Sequence, residues 1–184
     1  MGYNTVKKMS EFKGILAGLG NPGEEYRETY HNVGLLFLDF LKEAHGWQRP
    51  GRRPFEYSLL NKIVLVRPLT YMNESGRALS SALSYFKVKP ENLVIAQDES
   101  DLPLGEYKIS KNRGAAGHKG ILSVTTELGG SEFARIRIGI RKTSGKAGDF
   151  VLKQITKTDK EKLYLAFGEI LKLIEKDQLP FSGF

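Results

Sequence analysis

The chain has 184 residues, with 28 Lys and Arg against 21 Asp and Glu, three His, no Cys and 40% hydrophobic residues. A chain of this size buries roughly 70% of its unfolded surface, so it reads as one domain over residues 1–184 that needs no disulfide or metal to fold. The lack of cysteine excludes disulfides, thiol nucleophiles, iron–sulfur clusters and Cys-ligated zinc, and fits a cytoplasmic location.

The first residues lack the apolar core of a signal peptide, and residues 1–12 read as a flexible extension. The longest apolar run, Leu35 to Leu38 with Val33 before it, is far short of the roughly 20 residues that span a bilayer, so no membrane association is expected. Residues 13–19 form a short apolar run closed by Gly20, Pro22 and Gly23, which predicts a buried strand ending in a tight loop. From His31, apolar residues Val33, Leu36, Phe37, Phe40 and Leu41 recur at helical spacing up to a stop at Gly46, beside His45 as a helix-end residue. Residues 55–60 and 62–67 read as a hairpin about Asn61, and residues 70–86 as a second amphipathic helix. Residues 92–96 predict a buried strand running into Gln97, Asp98 and Glu99; residues 107–110 a strand; 118–128 a helix; 134–140 a half-buried strand; and 158–176 a closing helix. Strands alternating with helices imply an α/β three-layer sandwich, a mixed sheet with a largely parallel centre flanked by helices. In such folds ligands bind beyond the carboxyl ends of the strands, which places residues 20–30 and 97–101 at the edge of any site. Residues 142–148 read as a surface loop.

The net charge of +7 is concentrated. Residues 107–148 hold nine basic side chains (Lys108, Lys111, Arg113, Lys119, Arg135, Arg137, Arg141, Lys142 and Lys146) against Glu127 and Glu132, and the remainder balances to zero. A neutral body with one basic quarter suits a protein that grips a polyanion, because each neutralised phosphate releases counterions; a merely solvated basic surface is the competing reading. The glycine-rich run 114–120 inside this quarter favours phosphate.

Residues 18–23 match G-x-G-x-x-G after a predicted strand, which invites a dinucleotide-dependent oxidoreductase. That reading needs a helix starting inside the motif and an acidic residue ending a second strand about 20 positions on. Here Pro22-Gly23 leads into a polar loop, and Asp39 and Glu43 fall in a predicted helix. GxSxG, HExxH and P-loop sequences are absent, which leaves acid–base chemistry. His31, at a predicted helix start where the macrodipole disfavours imidazolium, is a candidate base, and Asp98, at the end of a buried strand, is a candidate to hold it. Capping or packing is the alternative for His31, and capping a turn with Asp101 the alternative for Asp98. Asn21 and Asn73 can donate amide hydrogens to a carbonyl, or serve only as turn residues. His118 and Lys119, at a predicted helix start, suit a phosphate or a nucleic-acid end.

These residues fall into ordered motifs. They are Gly18-Leu19-Gly20-Asn21-Pro22-Gly23 with Tyr26 and Tyr30-His31-Asn32; Arg67-Pro68-Leu69-Thr70-Tyr71-Met72-Asn73-Glu74-Ser75-Gly76; Asp98-Glu99 with Asp101-Leu102-Pro103; Gly117-His118-Lys119-Gly120; and Arg135-Ile136-Arg137-Ile138-Gly139-Ile140. In order and spacing, over nearly the whole chain, they resemble bacterial-type peptidyl-tRNA hydrolase. The resemblance implies a cytoplasmic, monomeric enzyme with no metal or organic cofactor. It would hydrolyse the ester between peptide and tRNA in peptidyl-tRNA released from stalled ribosomes. It implies His31 as the base that activates water, Asp98 as its support, and Asn21 as the sensor of the first peptide amide. Tyr26, Tyr71 and Asn73 would line the groove for peptide and terminal adenosine, and Arg137, with Lys108 or Lys111, would clamp the tRNA 5′ phosphate and acceptor stem. Lys119 stands where the family usually has Asn, and Ala115-Ala116 where glycines are usual. Lys offers donors but no acceptor, so Lys119 is suited to a phosphate rather than to accepting a hydrogen bond. The competing function is an RNA-binding homologue with little turnover.

Overall fold

The computed structural model describes residues 12–42, 46–142, 148 and 150–181. Of the expected extension, residues 1–11 lie outside the described residues, as do His45 and most of the loop expected at 142–148. Phe12 packs edge-on against Phe86, and Lys13 pairs with Asp177.

Among the described residues six strands form one sheet: β1 (Gly14–Gly18), β2 (Phe55–Leu60), β3 (Ile63–Pro68), β4 (Leu93–Pro103), β5 (Tyr107–Lys111) and β6 (Ala134–Arg141), in the order β2-β3-β1-β4-β6-β5. The four central strands run parallel, and the edge strands β2 and β5 are antiparallel to their neighbours. The fold is therefore a mixed-sheet α/β sandwich with a parallel centre. The run of fully buried Ile15, Leu16 and Ala17 in β1 is what a strand covered on both faces requires.

Among the described residues four α-helices cover the sheet: α1 (Val33–Leu41), α2 (Ser75–Phe86), α3 (Lys119–Leu128) and α4 (Lys157–Glu175). Residues Phe37, Leu38, Phe167 and Ile170 of α1 and α4 bury against Leu16, Val94, Ala96 and Ile136 on one face; Leu79, Ala82, Ile121 and Val124 of α2 and α3 bury against Ile15, Ala17, Val66 and Ile95 on the other. The alternation of β6 follows: Ile136, Ile138 and Ile140 enter the first core, leaving Arg135, Arg137 and Arg141 to the opposite face.

Two element boundaries differ from the sequence reading. The helix expected from residue 70 begins at Ser75, after a 3₁₀ turn Met72–Glu74, because Tyr71 is extended and the Thr70 hydroxyl donates to the Glu74 carbonyl. β4 is far longer than residues 92–96, because β6 continues to pair with it past the end of β1. Among the described residues no helix is long and apolar enough to cross a membrane.

Candidate active site

The longer β4 creates the site. β1 ends with Gly18 beside Ala96, whereas β4 runs on along β6 with Asp98 beside Ile138. Gln97, Asp98 and Glu99 therefore stand past the carboxyl end of β1, at the edge where open α/β sheets hold ligands. Onto this edge α1 descends without a side chain in the way: a Cβ on Gly34 would lie 2.3 Å from the Ala96 carbonyl oxygen and 2.7 Å from the Leu19 nitrogen. That close approach brings the 3₁₀ turn Tyr30–Asn32, with His31, next to Asp98. The start of α3 supplies His118 as its N-cap.

Asp98 is buried, and its Oδ1 lies 2.9 Å from His31 Nδ1 and 2.9 Å from His118 Nε2. The tautomers follow from the partners. His118 Nδ1 accepts the N–H groups of Gly120 and Ile121 at 3.1 and 3.3 Å, so its proton is on Nε2, which donates to Asp98. His31 likewise donates from Nδ1, since a carboxylate only accepts, and its ring lone pair is left on Nε2. Burial alone pushes the Asp98 carboxyl up, but His118 and then His31 outweigh it and bring it down to about 2, so it remains a carboxylate at neutral pH. The turn-cap alternative is corrected by the same contacts: the Asp101 N–H donates to Glu99 Oε1, and the Asp101 carboxylate pairs with Arg141 at 3.0 Å.

The three groups also have the make-up of a metal site, their ligand atoms lying within 4.8 Å of one another. A neutral imidazole has one lone pair, however, and that of His118 is committed at Nδ1 to the backbone of α3. Ligation through Nε2 would require breaking the helix cap, so the donor set fits proton transfer better than a cation.

These side chains line a groove of about 850 Å³. Asn21 enters it with its backbone clamped on both sides by buried Asn32, which accepts the Asn21 N–H at 2.8 Å and donates to its carbonyl at 2.9 Å. Asn21 Oδ1 accepts the Met72 N–H at 2.8 Å, so Nδ2 is the group it can offer as a donor. Tyr71 and Asn73 flank buried Met72 and line the same groove, both exposed, as does exposed Lys119. A Cβ on Gly120 would meet Met72 Sδ at 2.4 Å, so glycine lets α3 close against this turn.

Tyr26, half-buried, follows Asn21 on the same loop. Its 3₁₀ turn Glu24–Tyr26 folds onto its own backbone, with the Tyr26 N–H donating to Gly23 and its carbonyl accepting from Thr29. Sequence reasoning missed His118 as the second partner of Asp98, although a His capping a helix has one ring nitrogen to spare. It also missed Asn32, and Val151 and Leu152, which line the groove from the connection between β6 and α4.

Outside the groove, Lys108 of β5 sits directly across from Arg137 of β6. Arg137 Nε donates to Glu99 Oε2 at 2.7 Å, and buried Arg135 donates to the Gly114 carbonyl. Burial and then the nearby Arg137 push the Arg135 guanidinium down, with Glu99 opposing them. Lys111 pairs in register with Ala134, so the pleat turns it to the opposite face from Lys108 and Arg137.

Comparison with known proteins decides the family, because a model of peptidyl-tRNA hydrolase matches residues 15–178. The chain belongs to the peptidyl-tRNA hydrolase family. It is 38% identical over 158 residues to the peptidyl-tRNA hydrolase of Caldicellulosiruptor saccharolyticus, covering 83% of each chain. It is 40% identical over 153 residues to that of Carboxydothermus hydrogenoformans, covering 80% of this chain and 82% of the relative. The crystal structure of peptidyl-tRNA hydrolase from Acinetobacter baumannii superposes with a TM-score of 0.79 at 28% identity, covering 94% of this chain and 92% of that one. The shared fold thus spans nearly the whole molecule.

Proposed function

We propose that the chain performs the reaction of its family, hydrolysis of the ester joining a peptide to the 3′ ribose of tRNA, with His31 as the general base. The observation that carries this is the shared oxygen of Asp98. It holds His31 by Nδ1 and thereby assigns the basic lone pair to Nε2 of a ring that lines the groove. In the reaction His31 Nε2 takes a proton from water as the water oxygen attacks the ester carbonyl. The imidazolium is stabilised by the Asp98 carboxylate, and returns the proton to the ribose oxygen as the carbon–oxygen bond breaks. The products are a peptide carboxylate and tRNA with a free 3′ hydroxyl. An ester is a labile bond, so a positioned base contributing about 10²- to 10⁴-fold, with orientation, needs no covalent intermediate.

Asn21 supports selectivity for blocked substrates. Its available Nδ2 is a donor, which matches the carbonyl of a peptide bond, whereas the free ammonium of an aminoacyl ester offers only donors. Tyr71, Asn73 and Lys119 contact the peptide and the 3′ end of tRNA. Arg137 and Lys108, on one sheet face, meet the acceptor-stem phosphates; Lys111, on the opposite face, contributes at most from the strand end. The working unit is a monomer.

The test compares an N-blocked aminoacyl-tRNA with its unblocked counterpart, using wild type and His31→Ala. Release is expected only from the blocked substrate, with a fall of about 10²- to 10⁴-fold in the variant. Tight tRNA binding without release in the wild type would instead make the protein an RNA-binding homologue.

A further inference from the structure

We infer that Asp159 and Tyr30 are positioning residues for His31, a clasp that ties both ends of the segment bordering the groove to the turn carrying the base; the inference rests on the reading of His31 as that base. Asp159 lies in the first turn of α4 and is buried. Its Oδ2 accepts three hydrogen bonds of 2.6 Å, from the Tyr30 phenol, the Lys142 ammonium and the Thr156 hydroxyl. An acidic residue that only served its own helix would need the macrodipole and Thr156, the N-cap of α4. The other two donors come from elsewhere, Lys142 from just past β6 and Tyr30 from the turn before α1.

The positions of those donors give the contact its meaning. Lys142 opens the connection from β6 to α4 and Thr156 closes it, so one oxygen gathers both ends. Between them, the Val151 carbonyl accepts the His31 N–H at 2.8 Å and the Lys153 carbonyl accepts the Tyr30 N–H at 3.3 Å. The Ile155 N–H donates back to Glu28 at 2.7 Å. Val151 and Leu152 of the same stretch line the groove. His31 is therefore held twice, by its ring through Asp98 and by its backbone through Val151, and the second hold is anchored on Asp159 through the neighbouring phenol. Loosening the clasp leaves the chemistry of His31 intact and lets the ring drift from its attack geometry, where small displacements are costly.

Tyr30→Phe removes one hydroxyl and keeps the ring that packs edge-on against Phe150. With N-blocked aminoacyl-tRNA, kcat is expected to fall on the order of 10- to 100-fold while KM changes little. The proton resonance of His31 Nδ1–H is expected to broaden by exchange. Asp159→Asn should act in the same direction, and Asp159→Glu should recover more kcat than Asp159→Asn does at the same thermal midpoint. A folded Tyr30→Phe with wild-type kcat and an unchanged His31 resonance would overturn the proposal. So would a kcat loss that merely tracks the thermal midpoint across the three variants. His31→Ala is run alongside: if it stays active, the base assignment fails and the clasp with it, whereas an inactive His31→Ala beside a silent Tyr30→Phe sinks the clasp alone.

Discussion

Two imidazoles donating to one carboxylate oxygen set the properties of each residue involved. Asp98 is the charge that makes a protonated His31 tolerable during the reaction, and an amide in its place could still accept a hydrogen bond but carries no charge. Asp98→Asn is therefore expected to lower kcat by about 10²- to 10⁴-fold with the fold intact, measured on an N-blocked aminoacyl-tRNA. His118 has two tasks that a substitution can separate, since Nδ1 caps α3 and Nε2 donates to Asp98. His118→Asn offers a good capping oxygen but no group matching Nε2, so it should keep the thermal midpoint while losing activity. His118→Ala should lose both, the cap costing about 1 kcal/mol. Equal loss of stability in the two variants would contradict this division.

At the scale of elements, the site depends on how closely α1 and α3 approach the sheet. Gly34 sits on the Ala96 carbonyl, and no rearrangement of a flexible side chain can make room for a methyl group there, because the neighbours are backbone. Gly34→Ala is expected to destabilise the protein by about 1–3 kcal/mol or more, and, unlike a surface change, to depress activity even in the fraction that remains folded. Urea unfolding with parallel rate measurements checks both. The stretch 18–23 looks like a dinucleotide fingerprint, yet only a single 3₁₀ turn follows Gly23 and α1 begins at Val33, so among the described residues no α-helix terminus meets that loop, and its glycines serve packing and turning.

For the molecule as a whole, charge is distributed by face. Arg137, Lys108 and Arg135 crowd one side of the β5–β6 edge with Glu99 as partial relief, an arrangement that a polyanion would stabilise. Arg137→Ala is expected to weaken tRNA binding and reduce the slope of log affinity against log salt by about 1, checked by titration at several salt concentrations. Acid stability is also a global property. Asp98 and Asp159 each fall from an ordinary 3.8 to about 2, because donors outweigh the burial that would raise them. A depressed carboxyl contributes stability above its unfolded value and loses it as pH falls through the folded one. Each should therefore contribute stability near neutral pH that disappears between the ordinary value and about pH 2. The stability gap between wild type and Asp159→Asn should accordingly narrow on acidification.

Much of this was readable in the chain before any coordinates. The apolar run of β1, the helical spacing of α1, α2 and α4 and the alternation of β6 each follow from local periodicity, and the ordered motifs carry the family. Candidate residues His31, Asp98, Asn21, Asn73, Tyr71 and Lys119 could be named because they sit at strand ends and helix starts, the edge where open α/β sheets hold ligands. What periodicity could not supply was which groups meet. That β4 outruns β1, that His118 shares the oxygen of Asp98, that Asn32 clamps Asn21, and that Asp159 gathers Tyr30, Lys142 and Thr156 all depend on contacts between residues far apart in the chain. Local sequence determines the elements because their hydrogen bonds and apolar stripes are local; only tertiary packing decides the partners of a buried polar atom, because burial leaves it no water to turn to.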